Sequence, residues 1–258
     1  FNIKHNIINH PTVRVFLLAH ENVEELQQAV DSFERETQYK NCELCIVFHN
    51  EECGNITGLN NVRKYLKAVN HYVYEVKGEF NYSRIMNEVM KAHKYSYDYY
   101  IHMNDDIILC PRAIDELIAV ASQDEKIGII GSKLLYATDP ISHKLHTSWS
   151  VDIGKIQHAG VHLDKDFMPH HTHAFQQSNY KNACYTKEVE AVTFALALIK
   201  RRVFDIIQMD ENLPHDCNDI DYCLMAKKNG FKIVYNPWSM AWHYQSLTRK
   251  KYNMNGVK

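Results

Sequence analysis

The stretch YYIHMNDDIILCP, Tyr99–Pro111, decides how the chain is read. An apolar run with strand character ends on Asn104, Asp105 and Asp106, and the chain then turns apolar again. The segments on either side explain why carboxylates stand there. Upstream, Val13–Ala19 reads as a buried strand. Val23, Leu26, Val30 and Phe33 follow at helical spacing, with Asn22 as cap and Glu25 in capping-box position. Cys42–Phe48 reads as a second strand, Asn60–Val69 as a helix and Tyr72–Val76 as a third strand. Ser83–His93 is helical, with Ile85, Val89 and Ala92 on one side. Downstream, Pro111 opens a helix carrying Ile114, Leu117, Ile118 and Ala121, and Ile127–Leu135 is a fifth strand. Strand and helix alternate at short intervals, the pattern of an α/β fold with a mainly parallel sheet flanked by helices on both faces. Such sheets bind ligands in the crevice outside the carboxyl ends of their strands. Tyr99–Met103 is thus a rod that delivers Asp105 and Asp106 to a cleft.

The second half is less regular. Asp164–Glu190 is rich in histidine and aromatic residues and reads as a long loop or flap, the kind that is usually functional or disordered. Ala191–Ile199 returns to strand character, and Arg201–Ile207 reads as a short helix. Asp219–Gly230 is a helix stopped by Asn229-Gly230, and Phe231–Tyr235 and Ser239–Tyr244 read as two short strands.

The 258 residues suit one large domain, or one with an excursion. A formal net charge of −2 argues for no nucleic-acid partner. The basic Arg249–Tyr252 reads as a solvated end rather than a membrane contact. Seven cysteines are scattered along the chain. Cys42 and Cys45 have CxxC spacing, but on a strand positions three apart diverge, so buried reduced thiols of a cytosolic protein are expected. With no signal peptide and no apolar run near ~18 residues, nothing should span a membrane. The start at Phe1 suggests a module cut from a longer protein.

Adjacent acids at a strand end, without a phosphate-binding Gly-rich loop, suggest a hard divalent cation, Mn2+ or Mg2+. Neighbouring strand residues face opposite ways, so one carboxylate, Asp106, is the expected ligand. Asp105 could hydrogen-bond a ribose or share the metal. The competing reading is a solvated turn. A second acidic site, His215–Asp221, lies at a helix start, where backbone N–H groups should keep Asp219 ionised and fit to accept a proton. Its competing reading is a simple N-cap. His170–His173 resembles a metal tract but reads more simply as a polar flap. His243 ends a strand as Asp106 does and could complete a metal site, although such a residue alone is more often structural.

Taken in order, these stretches resemble family 2 glycosyltransferases, most of all the rhamnosyltransferase-like branch that builds bacterial surface polysaccharides such as O-antigen and capsule. Val13–Asn22 resembles the opening strand and donor loop, and Phe80–Met90 a segment lining the nucleotide-sugar site. Met103–Leu109 resembles the Asp-x-Asp-type metal motif, and Ile156–Leu163 is a branch signature. Ala191–Asp205 resembles the strand and helix beside the acceptor, and Asp210–Ser246 the catalytic segment and its His-bearing end. The resemblance covers about Val13 to Arg249. It implies a GT-A fold with a smaller acceptor-side subregion: a lead-in over 1–12, one domain over 13–248 and a tail over 249–258 that could link to further domains. Within the domain, 13–135 would form the nucleotide-sugar-binding half and 136–248 the acceptor half.

The resemblance further implies an inverting transfer of a hexosyl or deoxyhexosyl group. The donor would be a nucleotide-diphosphate sugar, UDP- or dTDP-linked, and the acceptor a hydroxyl of a glycan or lipid-linked glycan. Such an enzyme would be cytoplasmic, at most peripheral to the membrane. Asp106 and His243 would hold the cation, Asp105 would touch ribose or metal, and Asp219 would be the general base. His20, Glu21, Asn50, Asn81, Arg84 and Asn87 would line the donor. The chain departs from the family where Phe48, His49 and Asn50 replace the usual base-reading acids. Asn218 stands where a Glu is common, and Phe194 where a small residue is usual. Two other classes compete. A sugar-phosphate nucleotidyltransferase would need a Gly-rich basic loop that Leu17–Glu25 lacks. A carbohydrate-binding domain without catalysis would have no need of Asp105, Asp106, Asp219 and His243 together.

Overall fold

The computed structural model describes residues 6–50, 55–137 and 153–244. Its strands are β1 (Val13–Ala19), β2 (Cys42–Asn50), β3 (Tyr72–Lys77), β4 (Tyr99–Asn104), β5 (Ile107–Leu109) and β6 (Ile127–Tyr136). They continue with β7 (Ile156–His158), β8 (Val161–Leu163), β9 (Pro169–His171), β10 (Lys187–Glu188), β11 (Leu196–Lys200) and β12 (Lys232–His243). The helices are α1 (Val23–Glu36), α2 (Ile56–Leu66), α3 (Tyr82–Ala92), α4 (Ala113–Ala121), α5 (Arg201–Ile206) and α6 (Asn218–Lys228).

One sheet runs in the order β10-β12-β6-β11-β4-β1-β2-β3, with β5 added to β12 and β7 to β6. β1 pairs in parallel with β2 and β4, β2 with β3, and β12 with β6; β11 runs antiparallel between β4 and β6. Apolar side chains cover both faces. Leu26, Leu59, Ile114 and Leu117 of α1, α2 and α4 pack on one, and Ile85, Met86, Phe204 and Tyr222 of α3, α5 and α6 on the other. Strands covered on both faces are mostly apolar, and β1 is buried at every position, its one charged residue, Arg14, paired with Glu43.

Asn22 caps α1 as expected, its Oδ1 accepting the Glu25 N–H at 3.3 Å. Other expectations shift. α2 begins four residues before Asn60, because Asn55 supplies the cap, accepting the Gly58 N–H at 3.2 Å. The two short final strands are one, β12, with a register shift between Asn236 and Met240 that accommodates Pro237. The flap over Asp164–Glu190 carries β9, a 3-10 turn at Lys181–Ala183 and β10. Cys45, Cys110 and Cys223 are buried free thiols, but Cys217 is exposed. Among the described residues no helix is long and apolar enough to cross a membrane. The 1–5 end, Glu51, Glu52, Cys53 and the 249–258 tail lie outside the described residues.

Candidate functional site

β4 stops at Asn104, whose N–H donates to Ala195 O at 3.0 Å. Asp105 and Asp106 form the turn into β5, which folds back antiparallel on the end of β12 with Ile107 opposite His243. The Tyr244 N–H donates to Asp106 O at 3.1 Å. This short ladder brings two residues far apart in sequence together: His243 Nε2 lies 3.2 Å from Asp106 Oδ1. The other imidazole nitrogen, Nδ1, lies 2.5 Å from Gln157 Oε1 on β7. With that amide oxygen accepting, Nδ1 carries the proton and the Nε2 lone pair faces the carboxylate. No donor is aligned on Asp106 Oδ1 among the described residues. Two lone pairs converging at this distance fit a shared cation, since neighbouring ligands of an octahedral Mg2+-sized ion stand about 3 Å apart. Among the described residues no three His, Cys, Asp or Glu side chains converge on one point. The pair therefore fits an open site completed by ligand oxygens and water, not a closed structural one.

Asp105 points back toward β1, its Oδ2 accepting the His20 N–H at 3.3 Å. Burial, reinforced by Asp106, pushes its carboxyl up to about 7, against the pull of backbone N–H groups.

Asp219 lies in the first turn of α6. Its Oδ1 accepts the Ile220 N–H at 2.8 Å and its Oδ2 the Phe194 N–H at 3.3 Å. Phe194 precedes Ala195, the residue bonded to the end of β4, so Asp219 stands at the same end of the sheet as the acidic turn. The helix start was expected to keep Asp219 ionised, its N–H groups favouring the carboxylate. Burial outweighs the N–H groups and the net shift is upward. The phenol of Tyr82 is pushed well up by burial and by Asp219 beside it.

Histidines complete the wall. His158 Nδ1 lies 2.8 Å from His171 Nδ1, and the Thr193 N–H donates to His158 Nε2 at 3.4 Å. Burial, with His171 and His243 nearby, holds His158 well below the usual imidazole range; burial and then His243 lower His171. Gly160 makes this possible. Its φ of +96° turns the chain sharply after β7. Thr172 then donates its N–H to Gly160 O at 2.8 Å and its hydroxyl to Ala159 O at 2.5 Å, laying β9 beside His158.

The expected donor residues divide. His20 is at the cleft, stacked on His49 with ring centroids 5.4 Å apart. Phe80 meets His49 edge-on at 5.3 Å and stacks on His215 at 5.5 Å, so an aromatic row spans the ends of β1, β2 and β3. Glu21 is buried and accepts the Asn55 N–H at 3.1 Å, serving the start of α2. Asn50 bridges Arg63 and Glu75 at 2.6 Å each. Arg84 donates to Glu79 O at 2.9 Å and pairs with Glu88 at 3.5 Å. Asn81 and Asn87 hold the segment before α6: Asn81 donates to Glu211 O at 2.8 Å. Asn87 donates to Met209 O and accepts the Met209 N–H, both at 2.9 Å. Gln157, His158, His171 and Thr193 were assigned no role from sequence. The signal existed in Ile156–Leu163 and in His170–His173, which the polar-flap reading set aside. His170 does serve the hairpin, pairing with Asp164 at 2.9 Å, but His171 turns the other way and meets His158.

Comparison with known proteins follows the geometry. The structure resembles that of GalNAc-T7 with UDP, GalNAc and Mn2+, with a TM-score of 0.68 and 16% identity over 92% of this chain and 44% of that one. It also resembles the mannosyltransferase PcManGT of Pyrobaculum calidifontis in complex with GDP-Man and Mn2+. There the TM-score is 0.62 and the identity 9%, over 95% of this chain and 60% of that one. The fold is therefore GT-A-like. The uncharacterized protein y4gI of Sinorhizobium fredii is 26% identical over 253 residues, 93% of this chain, which spans only a quarter of that protein's length. Residues 3–255 match the family described as Glycosyltransferase like family 2. The chain is a member of glycosyltransferase family 2.

Proposed function

We propose that the chain is an inverting, metal-dependent glycosyltransferase domain that moves a sugar from a nucleotide-diphosphate donor to a glycan or lipid-linked glycan hydroxyl. The observation that carries this reading is the convergence of Asp106 Oδ1 and His243 Nε2 at 3.2 Å, at the end of the sheet where Asp219 also stands. Asp106 and His243 would hold the cation. When bound, Mn2+ or Mg2+ supplies neutralising charge to the departing diphosphate.

Asp219 removes the proton of the attacking hydroxyl at a carboxylate oxygen. Its raised affinity for protons makes it a stronger base than an exposed aspartate. A single displacement inverts the anomeric centre and needs no covalent nucleophile. The row of His20, His49 and Phe80 offers stacking faces for the donor base. Asn81 and Asn87 act on the donor site through the segment they anchor. Placement in the surface-polysaccharide branch rests on the order of motifs along the chain, above all Ile156–Leu163.

The deciding experiment is a thermal-shift screen of UDP, GDP and dTDP with and without Mn2+, followed by nucleoside diphosphate release from the matching sugar nucleotides. Mn2+-dependent release supports transfer over carbohydrate binding without catalysis. Asp219→Asn should lower transfer by about 10²–10⁴-fold and leave the nucleotide-induced shift intact. Normal turnover in that variant would remove Asp219 from the reaction.

A further inference from the structure

The paired imidazoles on the cleft wall are not used by this reaction scheme. We propose that His171 contacts substrate, its Nε2–H donating to a sugar hydroxyl in the cleft, and that His158 is the positioning residue that fixes it. The inference rests on the transferase reading above.

The hydrogen-bond pattern sets the tautomers. His158 is 1% exposed, so both its nitrogens must be satisfied by protein. Its Nε2 faces the Thr193 N–H at 3.4 Å and must accept. The proton of neutral His158 is then on Nδ1, directed at His171 Nδ1 at 2.8 Å. His171 Nδ1 accepts, so its own proton is on Nε2. The opposite assignment sets two N–H groups against each other at Thr193.

His171 itself is accessible to solvent on β9, although the protein crowds its ring enough to lower its proton affinity. Its position is fixed all the same, by the Thr172 bonds to Ala159 and Gly160 and by the Val161 N–H to Ala191 O at 2.8 Å. An exposed side chain held in one tautomer by a buried partner is preorganised for a directional contact. The N–H is uncharged, which suits a neutral hydroxyl oxygen, while charged diphosphate oxygens belong at Asp106 and His243. The hydroxyl can come from the donor sugar or from the acceptor glycan.

The test compares wild type with His171→Phe, which keeps a ring and loses the donor, and His171→Gln, which restores an N–H near the Nε2 position. One arm measures nucleoside diphosphate release to water from UDP-GalNAc, GDP-mannose and dTDP-rhamnose with Mn2+. The other measures transfer to a panel of p-nitrophenyl glycosides. The Phe variant should raise one KM by about 3–10-fold with a smaller change in kcat, and the Gln variant should return it to within about twofold. A shift in the release arm assigns the donor sugar; a shift confined to transfer assigns the acceptor. Unchanged KM values in both arms, or equal losses in the two variants, overturn the proposal. A wild type inert to every donor overturns the transferase reading and this inference with it. Independently of turnover, long-range 1H–15N spectra of 15N-histidine protein should show His158 protonated at Nδ1 and His171 at Nε2. The reverse pattern overturns the proposal even in an active enzyme.

Discussion

Asp105→Asn should stabilise the metal-free protein, and increasingly so as the pH rises. In the folded chain, burial and the neighbouring Asp106 raise the Asp105 carboxyl from 3.8 to about 7. The gap of about 3 units corresponds to ~4 kcal/mol of preference for the protonated form. Because the folded value lies above the unfolded one, this stability is complete below the unfolded value and drains away as pH rises through about 7. Asparagine does not titrate, and its carbonyl oxygen can still accept the His20 N–H. The variant should therefore match wild type near pH 4 and exceed it by about 2–4 kcal/mol near pH 8, the lower figure allowing for relaxation around the charge. Urea denaturation in EDTA across that range measures the difference directly. Added Mn2+ should shrink it, since a cation at Asp106 and His243 favours the Asp105 carboxylate. Parallel stability curves for the two proteins, or a variant weaker at high pH, would refute the reasoning.

Three further outcomes follow from the geometry. Asp106→Ala and His243→Ala should each abolish most of the Mn2+-induced rise in Tm, because each removes half of the converging pair; a full rise in either variant would show the cation binding elsewhere. Gly160→Ala should cost about 1–3 kcal/mol in urea denaturation, since φ is +96° and a Cβ would stand 2.7 Å from Val189 Cγ1. Asn87→Ala removes two bonds to Met209 and a third, at 3.0 Å, to Glu211 Oε1. It should cost about 2–4 kcal/mol by the same measurement, and an unchanged midpoint would mean that the segment before α6 is held by other contacts.

The alternation of apolar runs and helical periods made the sheet and its helices legible, because strands buried on both faces are mostly apolar, with few residues such as Arg14 and His102 to blur the pattern. Asp105 and Asp106 were legible as a strand-end pair for the same reason. That His243 ends a strand as Asp106 does was legible too, but the pairing of β5 with β12 that sets the two side by side was not, since a three-residue strand such as β5 leaves no period to read. The short strands β7 and β8 were invisible for that reason too, so Gln157 and His158 received no role. The meeting of His171 with His158 was not legible, because a three-residue strand in a histidine-rich loop does not show which of two adjacent histidines faces β7. Asn81 and Asn87 look polar and functional in sequence. Asn81 caps α3 by accepting the Arg84 N–H, but the amide nitrogens of both donate to a segment more than a hundred residues away, which no local pattern reveals.

That long-range clamp carries a consequence for how this cleft can diversify. Tyr82 N–H, Ser83 Oγ and Asn81 Nδ2 donate to the carbonyls of Pro214, Leu213 and Glu211, while Asn87 engages both main-chain groups of Met209. Apart from the contact with the Glu211 carboxylate, the helix grips peptide groups, which every amino acid possesses. The side chains of Leu213 and Pro214 can thus change without loss of these bonds, whereas Asp210 holds the turn itself, its Oδ1 accepting the Asn212 N–H at 2.9 Å. Evolution can retune the rim beside Asp219 while α3 keeps the backbone in register.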